Sequence, residues 1–163
     1  MYVAGKLVHG GSNEGYGMYL NNGNLGGAAG KIRFVVGRNW GNWIGVTSNS
    51  AIEAGKWYHI ACTFDGRYLK IFINGILDFM HDQGSTYTLT DSNNSFWIGK
   101  WVAENAMPMN GEIDEVRVWN VARSASDIGE SFTRTLSPDA AGLVAYYRMD
   151  QEEGSVLYDK IGR

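Results

Sequence analysis

The 163 residues read as an all-β protein, a two-sheet antiparallel sandwich of the jelly-roll kind, and three features say so. Composition is the first. There are 22 Gly and many rings (6 Trp, 9 Tyr, 6 Phe) against 2 Pro and 19% charged residues. Short strands joined by tight turns use residues in that ratio. The second is regular turn chemistry: Asn22-Gly23, Gly26-Gly27, Asp65-Gly66, Asn74-Gly75, Gly84-Ser85 and Asn110-Gly111. The third is period-two alternation between those turns, the mark of half-buried antiparallel strands. A closed single barrel is the less favoured alternative.

Taken in order, strands are expected at Lys6–His9, Tyr16–Leu20, Lys31–Val36 and Trp43–Thr47. A three-strand meander follows at Trp57–Phe64, Tyr68–Ile73 and Ile76–Met80. Its two turns, Asp65-Gly66 and Asn74-Gly75, suit positive φ. Ile60, Cys62 and Phe64 share one face with Tyr58; Leu69, Ile71 and Ile73 share a face of the next strand. These aliphatic sides are expected to line the sandwich core. Further strands are expected at Phe96–Gly99, Ile113–Trp119 and Leu143–Arg148, about ten in all. One short helix fits near 124–131, with Ser124 as its N-cap and Asp127 at the third helical position. Residues 1–136 form the sandwich. Residues 137–163 are a connector and a C-terminal strand, which either completes the same domain or opens a following repeat.

Composition also excludes classes. A net charge of −3 without a basic patch argues against nucleic acid. The single Cys62 rules out an internal disulfide and, sharing its face with Ile60 and Phe64, reads as a buried inert thiol. No apolar run is long enough for a membrane-inserted helix. Met1–Gly10 has no apolar core of a signal peptide, which leaves localisation open. The histidines His9, His59 and His81 form no catalytic triad that sequence can place. The Gly23–Gly30 stretch lacks the strand-to-helix setting of a phosphate loop. Asn93-Asn94-Ser95 fits a glycosylation sequon, relevant only in a eukaryotic secretory host.

Four blocks carry a family resemblance. They are Gly55-Lys56-Trp57-Tyr58-His59-Ile60-Ala61 with Thr63-Phe64-Asp65-Gly66, then Leu69-Lys70-Ile71-Phe72-Ile73-Asn74-Gly75, then Phe96-Trp97-Ile98-Gly99, then the run from Gly111 through Glu112-Ile113-Asp114-Glu115-Val116-Arg117-Val118-Trp119 to Ser124. In order and spacing they resemble the laminin-G-like, concanavalin A-like jelly-roll domains, from about Tyr16 to Ile128. Members of that family usually begin with further strands, for which this sequence has no convincing equivalent. Gly142–Asp150 resembles the segment that often opens such a domain or links it to the next copy. A missing strand leaves edge groups open, which invites pairing between chains and a homo-oligomer.

The resemblance implies a binding or adhesion module, extracellular or at the cell surface, with a carbohydrate or an extracellular protein as partner. Glucanases of this fold carry two glutamates flanking an aspartate on one strand face, a retaining pair about 5–5.5 Å apart. Here Glu112 and Asp114 are present, but Val116 or Arg117 stands where the second glutamate belongs, and Glu115 points to the opposite face. The pattern is incomplete, so an enzyme is the alternative and a glycoside hydrolase its form. A purely structural, self-associating repeat is the third reading. Asp114 and Glu115 are read first as holding a turn through hydrogen bonds.

Calcium is the one cofactor the resemblance suggests, with Asp91, Asn93, Asp114 and Glu115 as candidate ligands; solvated loop residues are the favoured reading of this set. The ligand face itself is expected on the side away from the aliphatic core. Parity places His59, Tyr68, Phe72, Trp97 and Trp101 there, with Trp40 and Trp43 at the rim. Rings stack on sugar C–H faces, while Asn or Asp bond hydroxyls. The competing reading, given more weight, is that these rings fill a second small core.

Overall fold

The computed structural model of the chain describes residues 1–7, 14–21, 23, 28–39, 42–89, 93–101, 107–151 and 153–162, the side chains at 38 and 39 excepted. Among these residues the chain forms ten strands and one helix: β1 (Tyr2–Gly5), β2 (Tyr16–Leu20), β3 (Lys31–Asn39), β4 (Asn42–Ala51), β5 (Ile60–Phe64), β6 (Tyr68–Ile73), β7 (Ile76–Asp82), β8 (Trp97–Ile98), β9 (Val116–Trp119), α1 (Ala125–Ser131) and β10 (Leu143–Tyr147). All pairings are antiparallel. One sheet has the order β4-β3-β2-β1-β8. Facing it are a three-stranded sheet, β5-β6-β7, and a separate pair, β9-β10. The architecture is the expected β-sandwich.

The core between the layers is aliphatic. Ile32, Phe34, Val36 and Val46 of the large sheet meet Leu69 and Ile71 of β6. Burying such side chains contributes roughly 1.5–3 kcal/mol each. One long side is closed by polar stitching. Asp78 on β7 accepts the backbone N–H groups of Asn49 and Ser50 on β4, and Asn49 Nδ2 donates to the Asp78 carbonyl at 2.7 Å. Ser48, buried where β3 and β4 slip register, accepts the Ile32 N–H at 2.9 Å and donates to the Ser50 carbonyl at 2.6 Å.

Turn chemistry places the meander. Asn74 and Gly75 adopt φ of 50° and 78°, as a tight two-residue hairpin requires. At the other turn Asp65 Oδ1 accepts the N–H groups of Arg67 and Tyr68. Helix α1 begins with a reciprocal cap: Ser124 Oγ accepts the Asp127 N–H, and Asp127 accepts the Ser124 N–H.

Several boundaries move by a few residues, and three strand starts shift by three residues or more. β5 starts at Ile60 rather than Trp57, because β6 ends at the Asn74-Gly75 turn and residues 57 and 58 have no strand opposite them. β9 starts at Val116 rather than Ile113, because Glu115 sits at φ 54° and breaks the extended path. The first strand is Tyr2–Gly5 instead of Lys6–His9, and His9 lies outside the described residues. β10 pairs along β9, with Leu143 and Tyr146 buried.

Candidate functional site

The outer face of the five-stranded sheet is built on missing side chains. Its register sets Trp97, Gly5, Gly17, Val35 and Gly45 side by side across β8, β1, β2, β3 and β4. Bare glycines let large rings from neighbouring rows lie against the backbone. A Cβ at Gly17 would meet the Tyr19 and Tyr2 rings at 3.2 and 3.3 Å. Tyr2 and Tyr19 pack edge to face, centroids 5.0 Å apart and planes at 84°. With Leu7 and Val35 they form a second buried cluster, and Trp97, Trp101 and Met107 pack on it. Trp101 Nε1 donates to the Leu7 carbonyl at 3.3 Å. Burial pushes the Tyr2 and Tyr19 hydroxyls well above the ordinary tyrosine range, so both stay neutral.

At the β4 end of this face the layer opens. Trp43 is 47% exposed. Its ring edge and the Arg33 guanidinium both reach over Gly45, at 2.9 and 3.0 Å from where a Cβ would stand. Arg33 Cζ lies 5.2 Å from the indole centroid, a cation–π pair. The result is a flat apolar ring beside a fork of N–H donors, next to the β3–β4 turn. A sugar ring needs both kinds of surface: a C–H face to stack and hydroxyls to bond. Sequence reasoning named Trp43 but missed Arg33 and Gly45. Their signal is cross-strand parity, Arg33 opposite Thr47 and Val35 opposite Gly45, which requires the register.

The expected single aromatic face is corrected by the sheet assignment. Trp43 and Trp97 stand on the five-stranded sheet with Trp101 packed on the same outer cluster, whereas Tyr68 and Phe72 stand on β6 of the three-stranded one and His59 just precedes β5, because β8 pairs with β1. Phe72, expected to be accessible, is 1% exposed. The β6–β7 pairing slips register between Ile71 and Phe72, and on the same sheet Phe132 sits on the His59 ring, centroids 5.8 Å apart, and close to Gly75. Tyr68 is half-buried beneath two cations, Arg67 and Lys70, at 5.3 and 5.4 Å from its ring. Arg67 in turn holds the Asp82 carboxyl down to about 2. Trp40 and Asp91 lie outside the described residues.

Among the described residues the candidate carboxylates form no cluster. Asp114 Oδ1 accepts the Glu115 N–H at 2.8 Å. Glu115 is taken by Arg117 at 2.5 Å, by the Tyr146 hydroxyl at 2.6 Å and by Arg148 at 3.7 Å. Asn93 is exposed. Among the described residues no three His, Cys, Asp or Glu side chains come close enough to hold a metal ion. Glu115, with Arg117 and Arg148 on its carboxylate, and Asp114, bonded to the Glu115 N–H, are both engaged by local partners.

His59 occupies a different setting, a cleft between β5 and β9. Its N–H is accepted by Asn74 Oδ1 at 2.9 Å, and its buried Nδ1 has no partner among the described residues. Burial, then the positive charge of Arg117, lowers its pKa from 6.5 to about 4. The unfolded chain therefore binds an extra proton between those values. The stabilisation is complete above pH 6.5 and is lost as pH falls toward 4. Urea midpoints should drop across that window in the native protein and drop less in His59→Gln. Equal slopes in both would place the acid loss elsewhere.

No protein in a curated sequence set matches this chain. Among solved structures, a candidate carbohydrate binding protein from Bacteroides ovatus aligns over 99% of this chain and 45% of its own, with 26% identity and a TM-score of 0.75. An S-layer domain-containing protein from Clostridium thermocellum aligns over 80% of this chain and 61% of its own, with 22% identity and a TM-score of 0.40, too loose a likeness to carry an argument. The chain thus spans less than two thirds of either structure. Residues 2–129 match the family model described as the concanavalin A-like lectin/glucanases superfamily, and the chain belongs to that laminin-G-like family.

Proposed function

We infer that this chain is a non-catalytic module that binds carbohydrate on the outer face of the five-stranded sheet, around Trp43. The observation that carries the reading is the exposed Trp43 indole lying over Gly45 beside Arg33. The likeness to the Bacteroides ovatus protein, named as a candidate carbohydrate binding protein, supports the same ligand class. Trp97 and Trp101 serve this face as its packed support. The position of Glu115 supports a non-catalytic reading, since Arg117, Arg148 and Tyr146 engage its carboxylate. An extracellular or cell-surface setting with an adhesive role accords with such a module. No helix among the described residues is long and apolar enough to cross a membrane.

A glycan array of the purified chain, run with calcium and with chelator, tests this. Hits that persist in chelator and fall tenfold or more in Trp43→Ala are expected, about 1.4 kcal/mol of lost stacking. Undiminished binding by the variant would remove this face from the site. Steady release of reducing ends from a polysaccharide panel, abolished in Glu112→Gln, would move the chain to the glycoside hydrolases.

A further inference from the structure

We propose that the site around Trp43 takes an acidic sugar unit, a uronate, which stacks its ring on the indole and gives its carboxylate to the Arg33 guanidinium. This rests on the carbohydrate reading above and names the class of sugar.

The first ground is the shape between the two residues. On the outer face the pairs Gly37 with Trp43, Val35 with Gly45 and Arg33 with Thr47 follow one another along β3 and β4. Trp43 and Arg33 thus stand at the two ends of a short row and lean toward each other over Gly45. Among the described residues of the row nothing tall rises between them, since Gly37 and Gly45 have no side chain and Val35 is buried. The result is a shallow seat with an exposed ring at one end and N–H donors at the other. Arg33 Cζ lies 5.2 Å from the indole centroid, so a substituent on a stacked sugar ring comes within its reach.

The second ground is charge. The strands β1, β2, β3, β4 and β8 contain Lys31, Arg33 and Arg38 and no aspartate or glutamate, in a chain whose acids outnumber its bases by 17 to 14. Elsewhere the arginines are answered: Arg67, Arg117, Arg123 and Arg148 each face a carboxylate. Arg33 faces none among the described residues. Its charge is felt instead by the buried Tyr19 hydroxyl, which stays neutral. Lys31 lies on the same face, two residues back along β3, and has no acid partner there either. Asp78, an acid that reaches β4 from the facing sheet, is taken by the Asn49 and Ser50 N–H groups.

A guanidinium without a carboxylate, beside an exposed ring, attracts an anion, and its parallel N–H groups match the two oxygens of a carboxylate. A neutral sugar leaves that charge unanswered. A polysulfated one brings more charge than a single fork can pair.

The test uses the full chain and titration calorimetry at low salt. The probes are tetrasaccharides of galacturonate, glucuronate, mannuronate and guluronate, each set against the same sugar with its carboxyl groups reduced to alcohols. At least one acid should bind about tenfold or more tighter than its reduced partner. That preference should shrink as sodium chloride is added. In Arg33→Gln the acid should lose about tenfold or more while the reduced partner binds as before, and Arg33→Lys should restore only part of the loss. If Arg33→Gln does not fold, judged by its urea midpoint, the matched sugars and the salt series on the native protein decide. Equal binding of every acid and its reduced partner, or an acid preference that survives in Arg33→Gln, would overturn the uronate. A sulfated tetrasaccharide bound where no uronate is bound would overturn it in favour of sulfate esters. Neutral hits on the glycan array with no uronate bound would overturn the uronate alone, whereas a blank array and blank titrations would overturn the carbohydrate reading with it.

Discussion

Gly5→Ala will destabilise the chain by about 3 kcal/mol or more, and it is the substitution we expect to be least tolerated in the large sheet. Gly5 adopts φ 152°, a conformation that side chains rarely take. An added Cβ would collide with the Tyr16 carbonyl oxygen and stand 2.7 Å from Gly17 Cα. Both are backbone atoms of β2, held by the register Gly5 opposite Gly17. Neither can retreat without opening the β1–β2 pairing, and Tyr2 blocks the remaining direction. Gly154→Ala is the control. Its φ is 107°, yet nothing lies within 4 Å, so only the backbone strain of about 1 kcal/mol applies. Urea unfolding of both variants gives the comparison. Equal losses would mean that the close approach at Gly5 relaxes at little cost.

Tyr146→Ala is expected to cost about 3–5 kcal/mol, the range for emptying a fully buried aromatic site. Tyr146 is 0% exposed. Its hydroxyl donates to Glu115 at 2.6 Å and accepts the Leu136 N–H at 3.3 Å, and its ring lies 5.4 Å from Arg117 Cζ. Arg117 continues the network by donating to the Ser131 carbonyl at the end of α1 and to the Arg134 carbonyl just beyond it. The tyrosine therefore ties β10, β9 and the helix exit together. Tyr146→Phe separates the parts. It keeps the ring and removes the bond to a charged group, for a loss of about 1.5–3 kcal/mol. On this evidence we propose that residues 137–163 complete the domain rather than open another. Deleting them should leave no cooperative thermal transition. A deletion variant as stable as the full chain would refute that assignment.

Local chemistry made the meander and the helix legible. Asp65-Gly66, Asn74-Gly75 and the Ser124–Asp127 cap each act within a few residues, and the turns and helix stand where the sequence placed them. The face of Leu69 and Ile71 was equally plain, because strand parity is local too. Phe72 was not, since alternation alone put it on the accessible side and the slipped residue opposite it in β7 leaves no mark near it in the sequence. Sheet membership was the larger loss. Nothing near Trp97 says that it will pair with Gly5 across more than half of the chain. For the same reason Trp97 and Tyr68 could share a parity and still fall on different sheets. Arg33 carried no signal of its own, because its role appears only when β3 and β4 align it with Trp43 and Gly45. The cleft was wholly hidden, being defined by two strands that fail to meet.

The glycine row beneath the outer rings also divides the surface by how freely it can change over generations. Gly5, Gly17 and Gly45 sit under Tyr2, Tyr19 and Trp43 so closely that side chains there are resisted. Asn42 and Trp43, at the start of β4, are exposed instead. Lineages descending from this chain could therefore diversify what the start of β4 presents while the platform beneath it stays fixed. A saturation library across both regions, sorted for surface display, should recover dense variation in the one and almost none in the other.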